Sequence, residues 1–263
     1  MNLVPRLLSF AAVAALVPVQ LAFAQSPAKT TASPSPAAPA AATTSSPAAA
    51  SASTEAAART DLYHVTFHKA ALGKAAEMME DLKKQDPKAK MQGHRVVFRH
   101  QEGDAWDFFV VEHLGTSTTI EATREAPPMA SRNLGDWHED TIVSGPSWAE
   151  FSRAIGIGEG KKSEGDVYSV TVYRPAPGQR EALEKFLSEA PAANDVTAGN
   201  VLMQHMEGGA WTFLSIAHYK SWQDYAKNKT NQVASSGKPD DGWNQLRSHI
   251  SYHSDTLVDR VSP

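Results

Sequence analysis

Three polar residues at alternate positions, His64, Thr66 and His68, are the first candidates for chemistry in this sequence. They lie in the segment 62–68, where apolar and polar residues alternate strictly, and such alternation predicts a β-strand. Side chains two residues apart project from the same face of a strand. Because imidazole titrates near neutral pH, His64 or His68 is a candidate general base.

Two arginines and a glutamate form a second candidate group. Arg95 and Arg99 lie four residues apart ahead of Gly103, and Glu112 lies after it. A guanidinium group binds carboxylates and similar anions through paired hydrogen bonds, so the two arginines predict an anionic substituent on a ligand. Whether they meet the histidines depends on the elements that carry them.

Those elements follow from an internal repeat, a feature that decides the fold and is therefore sought first. The nine residues 100–108, His-Gln-Glu-Gly-Asp-Ala-Trp-Asp-Phe, recur as 205–213, His-Met-Glu-Gly-Gly-Ala-Trp-Thr-Phe, with six identities at an offset of 105. The alternating strand recurs at 167–173, and a phrase at 137–143 recurs at 252–258. The chain thus contains two copies of one unit.

A two-residue turn in each repeated phrase sets the register of a β-hairpin. Gly103-Asp104 and Gly208-Gly209 suit the positive φ angles of a type I′ turn. Residues then face each other when their numbers sum to 207 in the first copy and to 417 in the second. This register places the bulkiest apolar pairs on one face, where a slip of one residue would turn them over: Val96 with Val111, Phe98 with Phe109, Val201 with Ile216, and Met203 with Leu214.

Each copy reads strand, helix, strand, strand, helix, strand, the βαββαβ order of ferredoxin-like domains. With a glycine turn ahead of an aromatic-rich third strand, as at 107–112 (Asp-Phe-Phe-Val-Val-Glu), the pair resembles the dimeric α/β-barrel superfamily in a tandem, fused form. The resemblance covers 61–145 and 166–262. It implies an α+β fold whose two antiparallel sheets pack as an intramolecular barrel, with the helices outside.

The predicted register also proposes a pocket. We expect the bulky apolar pairs to face the helices, so that the opposite face lines a ligand pocket between the two repeats. The alternative is a face in water, with Arg95 and Glu112 as an ordinary cross-strand ion pair of ~0.2 to 1 kcal/mol. The residues expected to bind a ligand are His64, Thr66, His68, Arg95, Arg99, Trp106, Glu112, Thr171, Tyr173, Asn200, Gln204 and Trp211.

The other histidines are assigned structural roles. Strand length separates His100 from His113 too far for a shared metal ion, and the register places His100 and His205 on the helix-facing side. His138 and Asp140 form either an acid–base pair or caps of an element end. No metal site and no cofactor are predicted, and a haem ligand among the histidines is left open.

Composition excludes several classes of function. The chain of 263 residues has a net charge of −4 and no clustered basic residues, which argues against nucleic-acid binding. It has no cysteine, so disulfides, thiolate nucleophiles and thiolate metal sites are excluded. The expected partner is a small-molecule ligand, and two copies in one chain predict a monomeric pseudo-dimer.

The N-terminal part is typical of an exported protein. Residues 1–24 combine an early Arg6, an apolar run and an Ala-Phe-Ala ending, which predict a cleaved signal peptide, with an uncleaved anchor as the alternative. Composition predicts a disordered Ala/Ser/Thr/Pro-rich linker. We expect a periplasmic or secreted protein without membrane contact after cleavage. The remaining boundaries are 25–60 for the linker, 61–155 for the first repeat, 156–165 for a second linker and 166–263 for the second repeat.

Three functions stay open on this basis. The first is an exported protein that binds a small molecule in the barrel, with no assignable reaction. The second is a cofactor-free or haem-linked monooxygenase-like enzyme, because the superfamily that the chain resembles includes both kinds, with His64 or His68 and Arg95 at the chemistry. The third is a non-catalytic module that binds another envelope protein. For the pocket, Arg95→Ala is expected to leave folding nearly intact and to abolish ligand-induced thermal stabilisation.

Overall fold

The computed structural model describes residues 58–85, 91–120, 131, 133–158, 165–189, 196–238 and 241–262. The predicted signal peptide, nearly all of the first linker and most of the second lie outside these residues. The strands are β1 (Asp61–Ala70), β2 (Arg95–Glu102), β3 (Phe108–Thr116), β4 (Thr119–Ile120), β5 (Gly135–Gly145), β6 (Val167–Pro175), β7 (Gly199–Glu207), β8 (Phe213–Tyr219) and β9 (Ile250–Ser262). The helices are α1 (Ala75–Lys83), α2 (Trp148–Ala154), α3 (Arg180–Ser188), α4 (Trp222–Ser235) and α5 (Gly242–His249).

Eight of these strands form one closed antiparallel ring. The order around the ring is β1-β5-β7-β8-β6-β9-β2-β3, and pairing of β3 with β1 closes it. The first repeat supplies β1, β2, β3 and β5, and the second supplies β6 to β9. The halves join at two seams, where β5 pairs with β7 and β2 pairs with β9. The predicted α+β fold with an intramolecular barrel is therefore confirmed.

The hairpin register predicted from the turns is also confirmed. Val96 pairs with Val111 in the first repeat, and Val201 pairs with Ile216 in the second. The loop is longer than the expected two residues, because the ladder between β2 and β3 ends at the pair Arg99–Phe108. The register thus survives although the turn itself is wider than predicted.

Two glycines of the repeated phrase let each hairpin tip cross onto the other repeat. Gly103 has a φ of 127°, and a Cβ atom placed there would lie 2.5 Å from the carbonyl oxygen of Asp255 on β9. Gly208, with a φ of 121°, approaches Asp140 on β5 in the same way. Only glycine tolerates both the positive φ and the close approach. The repeated nine-residue segment therefore also allows the two repeats to pack closely at the two seams.

The interior of the ring is the main hydrophobic core, and it corrects the predicted faces. Its fully buried side chains come from both repeats and include Phe98, Phe109, Met203 and Ile216. These are the bulky pairs that were expected to face the helices, so that expectation is wrong in both repeats. An eight-stranded barrel has an interior just wide enough for side chains to fill, and the largest apolar residues fill it here.

Helices cover the opposite, outer face of each half only in part. In the first repeat, Met78 and Leu82 of α1 pack on Val97 and Val110. In the second repeat, α3 packs on the sheet in the equivalent place. Polar side chains occupy much of the remaining outer face. None of the helices in the described residues is both long and apolar enough to span a membrane.

Helix α2, which the sequence analysis did not anticipate, packs against the barrel core at the end away from the hairpin tips. Phe151 is fully buried in that core. The hydroxyl of Tyr63 donates a hydrogen bond to the carbonyl oxygen of Pro146, at 2.6 Å, just before the helix. Ser147 and Glu150 form a capping box at its start. The Ser-x-x-Glu pattern is the local signal that could have identified this helix.

Candidate active site

Five residues of the predicted pocket do come together, but on the outer face of the first repeat. His64, Thr66 and His68 project outward from β1, Glu112 from β3 and Arg95 from β2. Their expected place inside the barrel is wrong, because the opposite face of the same strands fills the interior. With two residues of β5 they form what we call the outer-face cluster: His64, Thr66, His68, Arg95, Glu112, His138 and Asp140.

Strand pairing sets the positions within the outer-face cluster. β1 lies between β3 and β5, so each of its outward residues has a neighbour on either side. Side chains directly opposite each other in an antiparallel ladder have Cβ atoms roughly 5 Å apart. The cluster thus rests on paired strands rather than on loops. Its cross-strand pairs are His64 with Glu112, Thr66 with Asp140, and His68 with His138.

The central contact joins His64 and Asp140. Nε2 of His64 lies 2.6 Å from Oδ1 of Asp140, and the hydroxyl of Thr66 donates to the same oxygen at 3.2 Å. The side chain of His64 is buried, whereas 40% of the Asp140 side chain is exposed. A carboxylate that accepts from Nε2 fixes the imidazole tautomer and leaves Nδ1 as the basic nitrogen. The pair is therefore an oriented carboxylate–imidazole dyad.

The second oxygen of Asp140 faces another imidazole. Nε2 of the exposed His138 lies 3.0 Å from Oδ2 of Asp140. Burial by itself would raise the pKa of Asp140, but the charge and hydrogen bond of His64, the charge of His138 and the hydrogen bond from Thr66 together hold this pKa below its usual value. Asp140 is consequently ionised at neutral pH and can orient His64.

His68 is the weaker of the two candidate bases. Its pKa falls from the usual 6.5 to about 4, mainly because the ring is buried and further because of the positive charges of His138 and Arg95. Its ring also stacks on that of His138, with centroids 6.1 Å apart. A neutral imidazole with so low a pKa accepts a proton poorly. His64, held by a carboxylate, is the better placed base.

Arg95 lies beneath the end of α1. Its Nη1 donates hydrogen bonds to the carbonyl oxygens of Leu82 and, at 3.2 Å, Lys84. Burial lowers the pKa of Arg95, and the negative charges of Glu112 and Asp81 oppose that effect. A cation at a helix C-terminus interacts favourably with the helix dipole. Arg95 therefore holds α1 against the sheet and also adds a positive charge to the cluster.

Four of the five residues predicted in the second repeat lie on the outer face of its own half of the ring. Thr171 donates its hydroxyl hydrogen to Asp255 at 2.7 Å, and Gln204 accepts a hydrogen bond from Arg59 at 3.0 Å. The single pocket predicted between the repeats is thus divided between two outer faces. The four residues concerned are Thr171, Tyr173, Asn200 and Gln204.

The three remaining predicted residues lie elsewhere. Arg99 forms a two-point ion pair across a seam with Asp259 of β9, with its Nε at 3.0 Å from Oδ1 and its Nη2 at 2.8 Å from Oδ2. Trp106 and Trp211 belong to the barrel core, at the end where the hairpin tips lie. They line a cavity of about 280 Å³, which we call the mouth cavity. Residues of both repeats line this cavity.

His100 and His205 are also on the barrel side, and not on the helix-facing side that was expected. Each ring packs edge-on to the tryptophan of its own repeated phrase, with centroids 5.7 Å apart. The Nε2 atom of each is buried and has no hydrogen-bond partner among the described residues. His100 and His205 lie on the barrel side because the face of the hairpin that was expected to meet the helices fills the barrel interior instead.

His138 and Asp140 are the site residues that the sequence analysis left undecided. Their spacing of two was recognised, and on β5 it does put both side chains on one face. Their spacing alone does not distinguish an acid–base role from capping, because their partners on β1 lie far away in sequence. The missing information was the pairing of β5 with β1, which no local pattern encodes.

Comparison with solved structures finds proteins described as a candidate monooxygenase or as oxidase-like. A candidate monooxygenase of Fusobacterium nucleatum subsp. nucleatum is 11% identical over 77% of this chain and 93% of its own, with a TM-score of 0.51. An anthrone oxidase-like protein is 11% identical over 78% and 92%, with a TM-score of 0.49. A candidate monooxygenase of Lactobacillus acidophilus NCFM is 8% identical over 76% and 94%, with a TM-score of 0.45. No protein-family model and no curated protein matches the sequence.

The likeness to the Fusobacterium structure is a likeness of fold. It agrees with the resemblance of the sequence to the dimeric α/β-barrel superfamily. At 11% identity it transfers no residue role, so the chemistry has to be argued from the residues of this chain.

Proposed function

We propose that this protein is an enzyme that removes a proton from a small organic molecule at the outer-face cluster, with His64 as the general base. The observation that carries the proposal is the 2.6 Å contact between Nε2 of His64, which is buried, and Oδ1 of Asp140. A base oriented by a third group within hydrogen-bond reach is a recurring arrangement in enzymes that transfer protons.

In this proposal the proton moves to Nδ1 of His64. That atom lies 3.9 Å from Oε2 of Glu112, which is beyond hydrogen-bond distance, and 3.5 Å from the hydroxyl oxygen of Thr66, which donates to Asp140. The imidazolium that forms is stabilised by the carboxylates of Asp140 and Glu112. The anion left on the substrate is stabilised by Arg95, whose positive charge acts on the neighbouring His68. Both charges that develop in the transition state therefore have a partner in the cluster.

Molecular oxygen is the co-substrate that suits such a base on this fold. The Fusobacterium protein of similar fold is described as a candidate monooxygenase. A carbanion next to a carbonyl group and an aromatic ring can react with oxygen directly. In the overall reaction an activated methylene group and O₂ give a carbonyl group and water. One oxygen atom enters each product, and the methylene carbon loses the four electrons that O₂ gains.

Proton exchange tests the base directly. We expect the protein to accelerate the incorporation of deuterium from D₂O into the activated methylene groups of 2-tetralone and 2-indanone, followed by NMR. His64→Gln should lower this rate by about 10²- to 10⁴-fold, the usual contribution of a general base. Ser169→Ala, at the matching position of the second repeat, should leave it unchanged. No acceleration by the native protein, or full activity in His64→Gln, contradicts the proposal.

Oxygen uptake separates a monooxygenase from an enzyme that only transfers protons. With the same ketones, an oxygen electrode should record consumption that stops in His64→Gln. Exchange without oxygen consumption would keep the base and reject oxygen as the co-substrate. Deuterium exchange therefore tests the general base, and oxygen uptake tests the co-substrate.

A haem-linked version of the enzyme is not supported by the residues in place. Haem iron needs an axial ligand that faces an open cavity. Among the described residues that line the mouth cavity there is no histidine, and Nε2 of His64 is already bound to Asp140. Among the described residues, no group of three His, Cys, Asp or Glu side chains is arranged to hold a metal ion. We therefore derive no step through haem or a metal.

We further propose that the protein is exported and acts as a monomer. The proposal of export rests on the sequence of residues 1–24, and a mature protein that begins after Ala24 in mass spectrometry would support it. The proposal of a monomer rests on ring closure within one chain, which pairs both edges of each half-sheet. Light scattering should give the mass of one chain, and a stable dimer would contradict this.

A further inference from the structure

The mouth cavity is built from matching positions of the two repeats. Trp106 and Trp211 line it from the barrel core, and Trp137 and Tyr252, which are 41% and 44% exposed, flank it from β5 and β9. Its volume of about 280 Å³ is close to the lower end of the range for small-molecule pockets. A space of this size with aromatic walls suits a planar ligand of about two fused rings.

The two tryptophans differ in how their indole N–H groups are satisfied. Nε1 of Trp211 donates to Oε1 of Glu139 at 3.0 Å. In the other repeat the position of Glu139 is taken by Ser254, which instead donates its hydroxyl hydrogen to Asp104 at 2.7 Å. No acceptor for Nε1 of Trp106 is found among the described residues, although this residue is only 5% exposed and lines the cavity.

The indole N–H of Trp106 is not one of the fully buried side-chain donors that lack a partner among the described residues, so it is accessible from the cavity. Tryptophan N–H groups usually find a partner when buried. An oxygen atom of a ligand in the mouth cavity would supply the acceptor that Ser254 does not. The difference between the repeats thus gives the cavity one hydrogen-bond donor that no described residue engages.

The charges around the cavity exclude an anionic ligand. Two carboxylates, Glu139 and Asp104, line it together with one cation, Arg174. The guanidinium of Arg174 is already engaged, since its Nε donates to the carbonyl oxygen of Ala210 at 2.8 Å and its Cζ lies 5.6 Å from the ring centroid of Tyr252. An added carboxylate would meet net negative charge, whereas an uncharged oxygen acceptor would not.

We propose that the mouth cavity binds an uncharged, planar aromatic ketone whose carbonyl oxygen accepts a hydrogen bond from Nε1 of Trp106. This site lies inside the barrel, whereas the outer-face cluster lies on the opposite side of the first repeat's sheet. The inference therefore does not depend on the proposed base chemistry.

Three naphthalene derivatives of similar shape test the proposal, with binding measured by equilibrium dialysis so that tryptophan substitutions do not disturb the signal. 2-Acetonaphthone carries the carbonyl group, 2-ethylnaphthalene lacks it, and 2-naphthoate replaces it with a charge. We expect 2-acetonaphthone to bind about tenfold more tightly than 2-ethylnaphthalene, as one net hydrogen bond allows, and more tightly than 2-naphthoate. Equal binding of the first two probes, or tightest binding of 2-naphthoate, overturns the proposal.

The matched tryptophans supply the control. Trp106→Phe keeps an aromatic ring but removes the donor, so the tenfold preference for 2-acetonaphthone should fall to about one. Trp211→Phe removes an N–H that is already bound to Glu139, so the preference should persist. Loss of the preference in both variants, or in neither, would contradict the role of Trp106.

Two further variants guard against misfolding and against binding at the other site. Trp137→Ala alters an exposed wall of the cavity and should weaken both uncharged probes without changing the preference between them. His64→Gln, in the outer-face cluster, should leave all three affinities unchanged. Unaltered binding in Trp137→Ala, or loss of binding in His64→Gln, would place the ligand outside the mouth cavity and overturn the inference.

Discussion

The outer faces of the two halves of the ring share one set of side chains and differ in another. In both halves a threonine hydroxyl donates to the aspartate of the neighbouring strand, at 3.2 Å in the first and 2.7 Å in the second. The shared positions are Thr66 and Thr171, Asp140 and Asp255, and His138 and His253. The differing positions are His64 and Ser169, His68 and Tyr173, Arg95 and Asn200, and Glu112 and Ala217.

The comparison separates what the fold needs from what the site adds. The threonine–aspartate contact joins the first strand of each repeat to the last, so its presence in both halves is explained by the sheet. In the second half, Ser169 occupies the position that matches His64. Nε2 of His253 lies 3.8 Å from Oδ2 of Asp255. At the outer-face positions, a histidine oriented by the aspartate of the neighbouring strand is therefore found in the first half, at His64, and not at Ser169 of the second. We expect substitutions at matched positions to have unequal effects.

The largest difference is expected for the two aspartates. Asp140→Asn removes the carboxylate that orients His64 and offers an amide N–H in its place, which favours the wrong tautomer. The exchange rate should fall by about 10²- to 10⁴-fold, while Asp255→Asn should change it less than twofold. Equal losses in the two variants, measured by deuterium incorporation, would remove the functional distinction between the halves.

His68 and Tyr173 should differ in how they couple stability to pH. The pKa of His68 is lowered to about 4 in the folded chain, against about 6.5 when unfolded. Between these values the unfolded chain binds more protons, so this histidine costs stability as pH falls from 6.5 towards 4, by up to about 3 kcal/mol. His68→Tyr, which installs the counterpart residue, should remove this part of the dependence.

Urea unfolding of the native chain and of His68→Tyr at pH 7, 5.5 and 4 measures that effect. The free energies of unfolding should diverge as the pH falls, in favour of the variant. Parallel curves would show that His68 is protonated in the folded chain, and that its burial does not lower its pKa.

Arg95→Ala should destabilise the chain, whereas Asn200→Ala should not. The guanidinium holds two carbonyl groups at the end of α1, and we expect a loss of about 2 kcal/mol in the free energy of unfolding. This revises the expectation from sequence that folding would stay nearly intact. Similar losses in both variants, by thermal or urea unfolding, would argue against a special role for Arg95.

The smallest effect is expected at a seam, where the two halves contribute equally. Arg99 and Asp259 form an ion pair whose side chains are 48% and 31% exposed. Exposed pairs of this kind contribute about 0–1 kcal/mol. A double-mutant cycle with Arg99→Ala and Asp259→Ala should give a coupling energy in that range. A larger coupling energy would show that this ion pair contributes more to the stability of the seam than an exposed pair usually does.

The fold and the hairpin register could be read from the sequence because both rest on local or repeated signals. The glycines at 103 and 208 mark the turns, and the sums of residue numbers that they set were correct. The capping box at Ser147 was an available local signal that went unused. The outer-face cluster was found only in part, because Asp140 meets His64 through pairing of strands far apart in sequence.

By itself, the sequence determined that the chain holds two copies of one βαββαβ unit, how their hairpins pair, and which side chains share a face. The tertiary structure alone decided which face is inside. Both faces of β2 and β3 carry apolar residues, such as Val96 on one and Val97 on the other, so alternation cannot rank them. Closure of the ring decides which face is inside, because it encloses one face of these strands within the barrel and leaves the other face to helices and water.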